Sequence, residues 1–206
     1  MRTKLFGIGA AFIFFLSGCG SSEPAPAKKA EAPKPAAPVS GQSAAFLMFQ
    51  QARLWAPDAQ LLRLESVQVP EVKPEPGKTG AWRANFVSIE KKAQKSYTYS
   101  VVKSEGLHKG VFAQTEMPWL RSSAVKPYYV VAIKTDTPAA LATALKQKDI
   151  AAYAEKNPEM PVQYLAEWTP QTPNVAWRVY WGPTVSASAA SVFVDATSGE
   201  FLKKAR

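Results

Sequence analysis

Two stretches of this chain carry the same tripeptide in the same kind of setting, and this repetition limits the available folds more than any other feature. Val175-Ala-Trp-Arg-Val-Tyr-Trp181 leads to Ser191-Val-Phe-Val-Asp195 and a closing Ala196-Thr-Ser-Gly199, while Ala81-Trp82-Arg83 leads to Tyr97-Thr-Tyr-Ser-Val-Val102. Tyr97 follows Trp82 by 15 residues and Val192 follows Trp177 by 15. A spacing shared by both the tripeptide and the β-prone run after it predicts an internal repeat. In the second copy Trp177, Val179 and Trp181 alternate with Ala176, Arg178 and Tyr180. That period of two buries one face of a strand and turns the other toward water. Arg83 and Arg178, with Tyr180 beside them, are therefore predicted to face away from the core. They are candidate interface residues, because Arg and Tyr are favoured where proteins meet, with solvated strand residues as the alternative reading.

What precedes each tripeptide also repeats. Ser43–Ala56 places Ala45, Met48, Phe49, Ala52, Trp55 and Ala56 at helical spacings, and Pro57-Asp58 ends the run. Leu61–Val69 reads as a strand, followed by a loop from Pro70 to Gly80 whose three prolines exclude a central strand. Ala81–Val87 and Ser96–Lys103 read as an antiparallel pair joined at Glu90-Lys91-Lys92, and Gly106–Phe112 as the return strand. After an irregular crossing with a β-prone run, Pro127–Ile133, Asp136-Thr137-Pro138 is a helix start with a capping residue and an early proline. Leu141, Ala144 and Leu145 form one stripe, and Ile150, Tyr153 and Ala154 another displaced by a residue, which predicts a break near Lys146–Asp149. Asn157–Pro161 ends the helical part, and Val162–Trp168 supplies the next strand. The expected class is α+β, with two repeats each placing a helix on a small antiparallel sheet.

Ahead of these elements Met1-Arg2-Thr3-Lys4 is a short positive segment, Leu5–Leu16 is almost wholly apolar, and Ser17-Gly18 supplies small residues. This is the pattern of a secretory signal, and the apolar run is short for a membrane span. Leu16-Ser17-Gly18-Cys19 resembles a bacterial lipobox, the motif of lipoprotein precursors. The resemblance implies a diacylglycerol thioether on Cys19, cleavage before it, and an acyl chain such as palmitate on the new amino group. Several acyl chains anchor a protein stably where one does not. A plain secreted protein with an ordinary Cys19 is the alternative. Gly20, where lipoproteins retained at the inner membrane carry Asp, favours the inner leaflet of the outer membrane, with the chain facing the periplasm. From Gly20 to about Ser40 the chain is rich in Pro, Ala and Lys, a spacer that favours extended polyproline conformations.

Val192-Phe-Val-Asp-Ala-Thr-Ser-Gly-Glu-Phe-Leu202 resembles the C-terminal half of a PepSY domain, matching its hairpin at Val194, Asp195, Ala196 and Gly199. The family's helix-plus-antiparallel-sheet module occurs in peptidase propeptides and bacterial envelope proteins. The resemblance implies restraint of a peptidase or a protein-binding role, and no catalysis. The expected organisation is residues 1–18 signal peptide, 19–40 lipidated Cys19 and tether, 41–115 first PepSY-like repeat, 116–135 connector with a strand, and 136–206 second PepSY-like repeat.

The net charge of +9 is spread over leader, tether and body with no basic cluster, so no nucleic-acid partner is expected. The expected partners are the membrane, through acyl chains on Cys19, and an envelope protein. No cofactor or metal is expected. His108 is the only histidine and has no second His or Cys near it; neither a Gly-x-Ser-x-Gly nor a His-Glu-x-x-His motif occurs. A non-enzymatic binding or peptidase-regulating lipoprotein is the leading reading, with an envelope hydrolase or a structural accessory subunit as alternatives.

Overall fold

A computed structural model describes residues 36–205. The lipobox residues Leu16, Ser17, Gly18 and Cys19, and most of the tether, lie outside the described residues. Among the described residues no helix is long and apolar enough to cross a membrane.

The described residues open with a two-residue strand, β1 (Val39–Ser40), that runs into helix α1 (Gly41–Trp55). Ala44, Ala45, Met48 and Ala52 form its buried stripe, spaced so that one side of the helix meets the core. Strands β2 (Gln60–Val67), β3 (Lys78–Thr79), β4 (Ala81–Ser88), β5 (Ala93–Ser100), β6 (Gly110–Ala113) and β7 (Met117–Pro118) follow. A 3-10 turn at Val130–Ala132 leads to α2 (Thr137–Leu145) and α3 (Lys148–Lys156), then to β8 (Val162–Glu167), β9 (Ala176–Trp181), β10 (Ala190–Asp195) and β11 (Phe201–Lys204). The helical stretch breaks at Lys146-Gln147, between the two displaced stripes. Pro127–Ile133 does not extend into a strand. Tyr128 exchanges two backbone hydrogen bonds with Leu61 at 2.8 Å, after which the chain turns so that Lys134 and Thr135 donate to the Ala196 carbonyl.

Two small sheets were expected, but the described strands of both halves join one antiparallel nine-stranded sheet. Its order is β11-β10-β9-β8-β2-β4-β5-β6, with β7 also paired to β5; β1 and β3 form a separate short ladder. The halves meet where β2 pairs with β8, Arg63 opposite Glu167, Leu64 opposite Ala166 and Glu65 opposite Leu165. Separate sheets would leave the N–H and C=O groups of β2 and β8 as open edges, and pairing them satisfies both. Leu64 and Ala166 are fully buried at this seam.

The helices cover one face. α1 packs against β4 and β5, and α2 against β9 and β10. Trp82, Trp177, Leu64, Phe86, Met48 and Ile150 belong to one apolar core drawn from both halves. Burial of such side chains contributes about 1.5–3 kcal/mol each. The two tryptophan hairpins share a register: Trp82 lies opposite Tyr99, and Trp177 opposite Val194. The Trp82 indole Nε1 donates to the Val39 carbonyl at 3.0 Å, and that of Trp177 to the Thr135 carbonyl at 2.8 Å. Each acceptor lies one residue before a helix N-cap, Ser40 or Asp136.

Candidate functional site

The sheet face opposite the helices carries the charged side chains. Pairing aligns one residue from each of eight strands on a single rung: Lys203, Phe193, Arg178, Leu165, Glu65, Arg83, Thr98 and Phe112. Arg83 and Arg178 thus stand on the same rung with Glu65 and Leu165 between them. Three strand spacings separate their backbones by about 14 Å.

A groove of about 840 Å³ runs over the middle of this face, with Arg63, Glu65, Arg83, Glu167, Arg178 and Tyr180 in its lining. One wall is the β9–β10 connection around Pro183–Ser186, held to the sheet where Gln163 Nε2 donates to the Pro183 carbonyl at 3.1 Å. Along the floor the charges alternate. Arg83 Nη1 meets Glu65 Oε1 at 3.1 Å, Glu65 Oε2 meets Arg63 Nη2 at 3.0 Å, and Arg63 Nη1 meets Glu167 Oε1 at 3.2 Å. Arg178 Nη2 donates to Ser191 Oγ at 3.2 Å, and its guanidinium lies 5.4 Å from the Phe193 ring centroid. The row sets opposite charges side by side across the strands of the seam, with its two arginines partly exposed to solvent.

Burial lifts the Glu167 carboxyl above its usual range; Arg63 opposes this, Glu65 adds to it, and Arg178 opposes it. Burial likewise raises the Tyr180 phenol, with Glu65 adding to the effect and Arg63 and Arg178 opposing it.

All three interface residues expected from the sequence line this groove. Arg83 is exposed, Arg178 half-buried, and Tyr180 is only 6% exposed. Tyr180 lies on the outer face as the alternation predicts, yet it is covered there, which strand periodicity does not report. Sequence reasoning missed Arg63, Glu65 and Glu167. Their signal was present, since Arg63 and Glu65 flank Leu64 in a strand-like run, but nothing local says what lies opposite them. His108 stacks on Phe112 with ring centroids 4.2 Å apart, away from the groove lining. Asp195 shapes its turn: Oδ1 accepts from the backbone N–H of Thr197 at 2.7 Å and of Ser198 at 2.9 Å, and Oδ2 from Asn174 Nδ2 at 3.2 Å.

Among the described residues no group of three His, Cys, Asp or Glu side chains is arranged to hold a metal ion. Comparison of the chain with protein-family models, with curated proteins and with solved structures returned no match.

Proposed function

We propose that this chain is a lipid-anchored cell-envelope protein that binds a partner protein through the outer face of its sheet, without turnover. Its folded part is read as two PepSY-like copies joined edge to edge at β2 and β8. The order of strands outward from that seam supports this, β2-β4-β5-β6 on one side and β8-β9-β10-β11 on the other. So do the common register of the two tryptophans and their matching bonds to the residue before each helix cap. Cys19, behind Leu16, Ser17 and Gly18, is the site of lipidation in this reading, and Gly20 favours the inner leaflet of the outer membrane. The PepSY resemblance makes a peptidase under restraint the first partner class to test.

The observation that carries the binding role is the alternating row Arg83, Glu65, Arg63, Glu167, flanked by Arg178, on the floor of an open groove. Polar and charged groups on a rigid sheet orient a partner more than they attract it, so the role is selective docking. A photo-crosslinking residue placed at Arg83 or Arg178 in the native host is expected to capture one and the same protein, and one at Leu54, exposed on α1, is expected not to. Equal capture from Leu54, or conversion of a small molecule by the purified chain, would overturn the reading. Labelled palmitate is expected to enter the chain and to be lost on Cys19→Ala; labelling that persists in the variant, or none in the unchanged chain, would remove the anchor.

A further inference from the structure

The two ends of the sheet occupy matching places in the strand order but differ in chemistry. At one end Lys203 terminates the rung, and its neighbour Lys204 is bound to Asp149 at 2.7 Å. Charged side chains on an edge strand discourage further pairing. At the other end the rung terminates in Phe112, in a strand Gly110-Val111-Phe112-Ala113 with neither charge nor proline. Phe112 is 43% exposed, and among the described residues no strand pairs with the outer side of β6.

The backbone of this edge is self-complementary. The Gln114 N–H donates inward to the Ser96 carbonyl at 2.8 Å, and Phe112 pairs with Thr98 and Gly110 with Ser100 on the same side. Inward and outward groups alternate along an antiparallel strand, so Val111 and Ala113 turn their N–H and C=O groups away from β5. A second β6 rotated by a two-fold axis through Phe112 sets Val111 opposite Ala113 of the second copy and Ala113 opposite its Val111, for roughly four hydrogen bonds. The two Phe112 residues then face each other as a closely spaced, non-hydrogen-bonded pair, and each ring, stacked on its own His108 on one side, meets its copy through what remains exposed. No like charges meet within Gly110–Ala113, whereas the same operation at β11 would oppose lysines.

We propose that β6 is a self-association edge, through which two copies of the chain join their sheets antiparallel about Phe112. The symmetry places both charged faces on the same side of the joined sheet. The proposal uses neither Cys19 nor the groove and stands apart from the docking function.

The test is a thiol scan in the full chain with Cys19→Ser, so that the introduced cysteine is the only thiol. Under a mild oxidant Phe112→Cys is expected to give a disulfide-linked dimer. Val111→Cys and Ala113→Cys are expected to give at least tenfold less, because the two copies of each lie diagonally and their Cα atoms stand beyond about 7 Å, too far to bridge. Adding Val111→Pro removes an outward N–H that no strand pairing uses in the single chain, and is expected to lower the Phe112→Cys yield at least tenfold. Equal yields at all three positions, no dimer at 112, or indifference to Val111→Pro overturns the proposal. Sedimentation without introduced cysteines provides a second readout: the mass is expected to rise from monomer toward dimer with concentration, and Val111→Pro is expected to hold it at monomer. A chain that stays monomeric throughout, or a dimer that survives Val111→Pro, also overturns it.

Discussion

The indole of Trp82 meets the indole of Trp177 edge to face, with ring centroids 6.3 Å apart and planes at 66°. One ring comes from β4 and the other from β9, so this contact joins the two halves beneath the helices. Edge-to-face pairs contribute about 0.5–1.5 kcal/mol beyond the area they bury. Each Trp→Phe change also takes the donor from a backbone carbonyl, Val39 or Thr135, which costs about 1–3 kcal/mol. In urea unfolding the double variant is expected to lose less than the sum of the single losses, by about 0.5–1.5 kcal/mol. Strict additivity would mean that the rings touch without coupling.

Gly41, at the start of α1, lies against both rings. A Cβ there would stand 2.6 Å from Trp177 Cη2 and 3.0 Å from Trp82 Cη2. Alanine is the better helix former by about 1 kcal/mol, so propensity alone predicts that Gly41→Ala stabilises. The clash is between packed rings that have little room to move, and overpacking of this kind costs about 1–3 kcal/mol. A net loss on thermal unfolding is expected; a gain in Tm would show that the core yields.

Asp136 caps two helices. Its Oδ1 accepts from the Thr137 N–H of its own helix at 2.7 Å and from the Gln42 N–H of α1 at 2.9 Å. Removing an N-cap costs about 0.5–2 kcal/mol, and with two helices served the upper end of that range is expected for Asp136→Ala. Asp136→Asn retains the acceptor oxygen and should recover most of the loss. Chemical unfolding distinguishes them, and equal losses would point to the charge rather than the bond.

Asp195 makes stability depend on pH on the acid side. Burial works to raise its carboxyl, but the backbone N–H groups of Ser198 and Thr197 and the Asn174 amide outweigh it and hold the carboxyl below its ordinary 3.8. A depressed value in the folded state means that the stabilisation is present above 3.8 and is lost as pH falls through the lower, folded value. Asp195→Ala is expected to cost about 1–3 kcal/mol at neutral pH and to flatten the stability profile below pH 4. An unchanged acid limb would assign that limb to other carboxylates.

Glu167 behaves in the opposite sense. Its raised carboxyl binds a proton more tightly in the folded state, so ionising it lowers stability as pH rises from 4.5 through the folded value. Glu65→Gln removes a like charge and leaves Arg63 to Glu167, and both effects favour ionisation. A carbon-detected NMR titration should find Glu167 moved downward in the variant; an upward shift would contradict the arrangement of the charge row.

Much of the local structure could be read along the chain. Alternation at Trp177, Val179 and Trp181 set the buried face of β9, Asp136-Thr137-Pro138 marked the start of α2, and the displaced apolar stripes located the break before α3. Each of these follows from backbone geometry acting over a few residues. The joining of the halves could not be read that way. Glu65 and Leu165 are opposite each other across 100 residues of chain, and many strands could offer β2 an edge. Only the folded sheet, by leaving β2 and β8 as the edges that must be satisfied, set that pairing. That pairing aligned Arg83 with Arg178 and placed Glu65 between them. The sequence by itself determined which side chains lie on which face, because the pleat repeats every two residues; the tertiary structure decided which charges became neighbours, because strand partners are chosen by distant backbone groups.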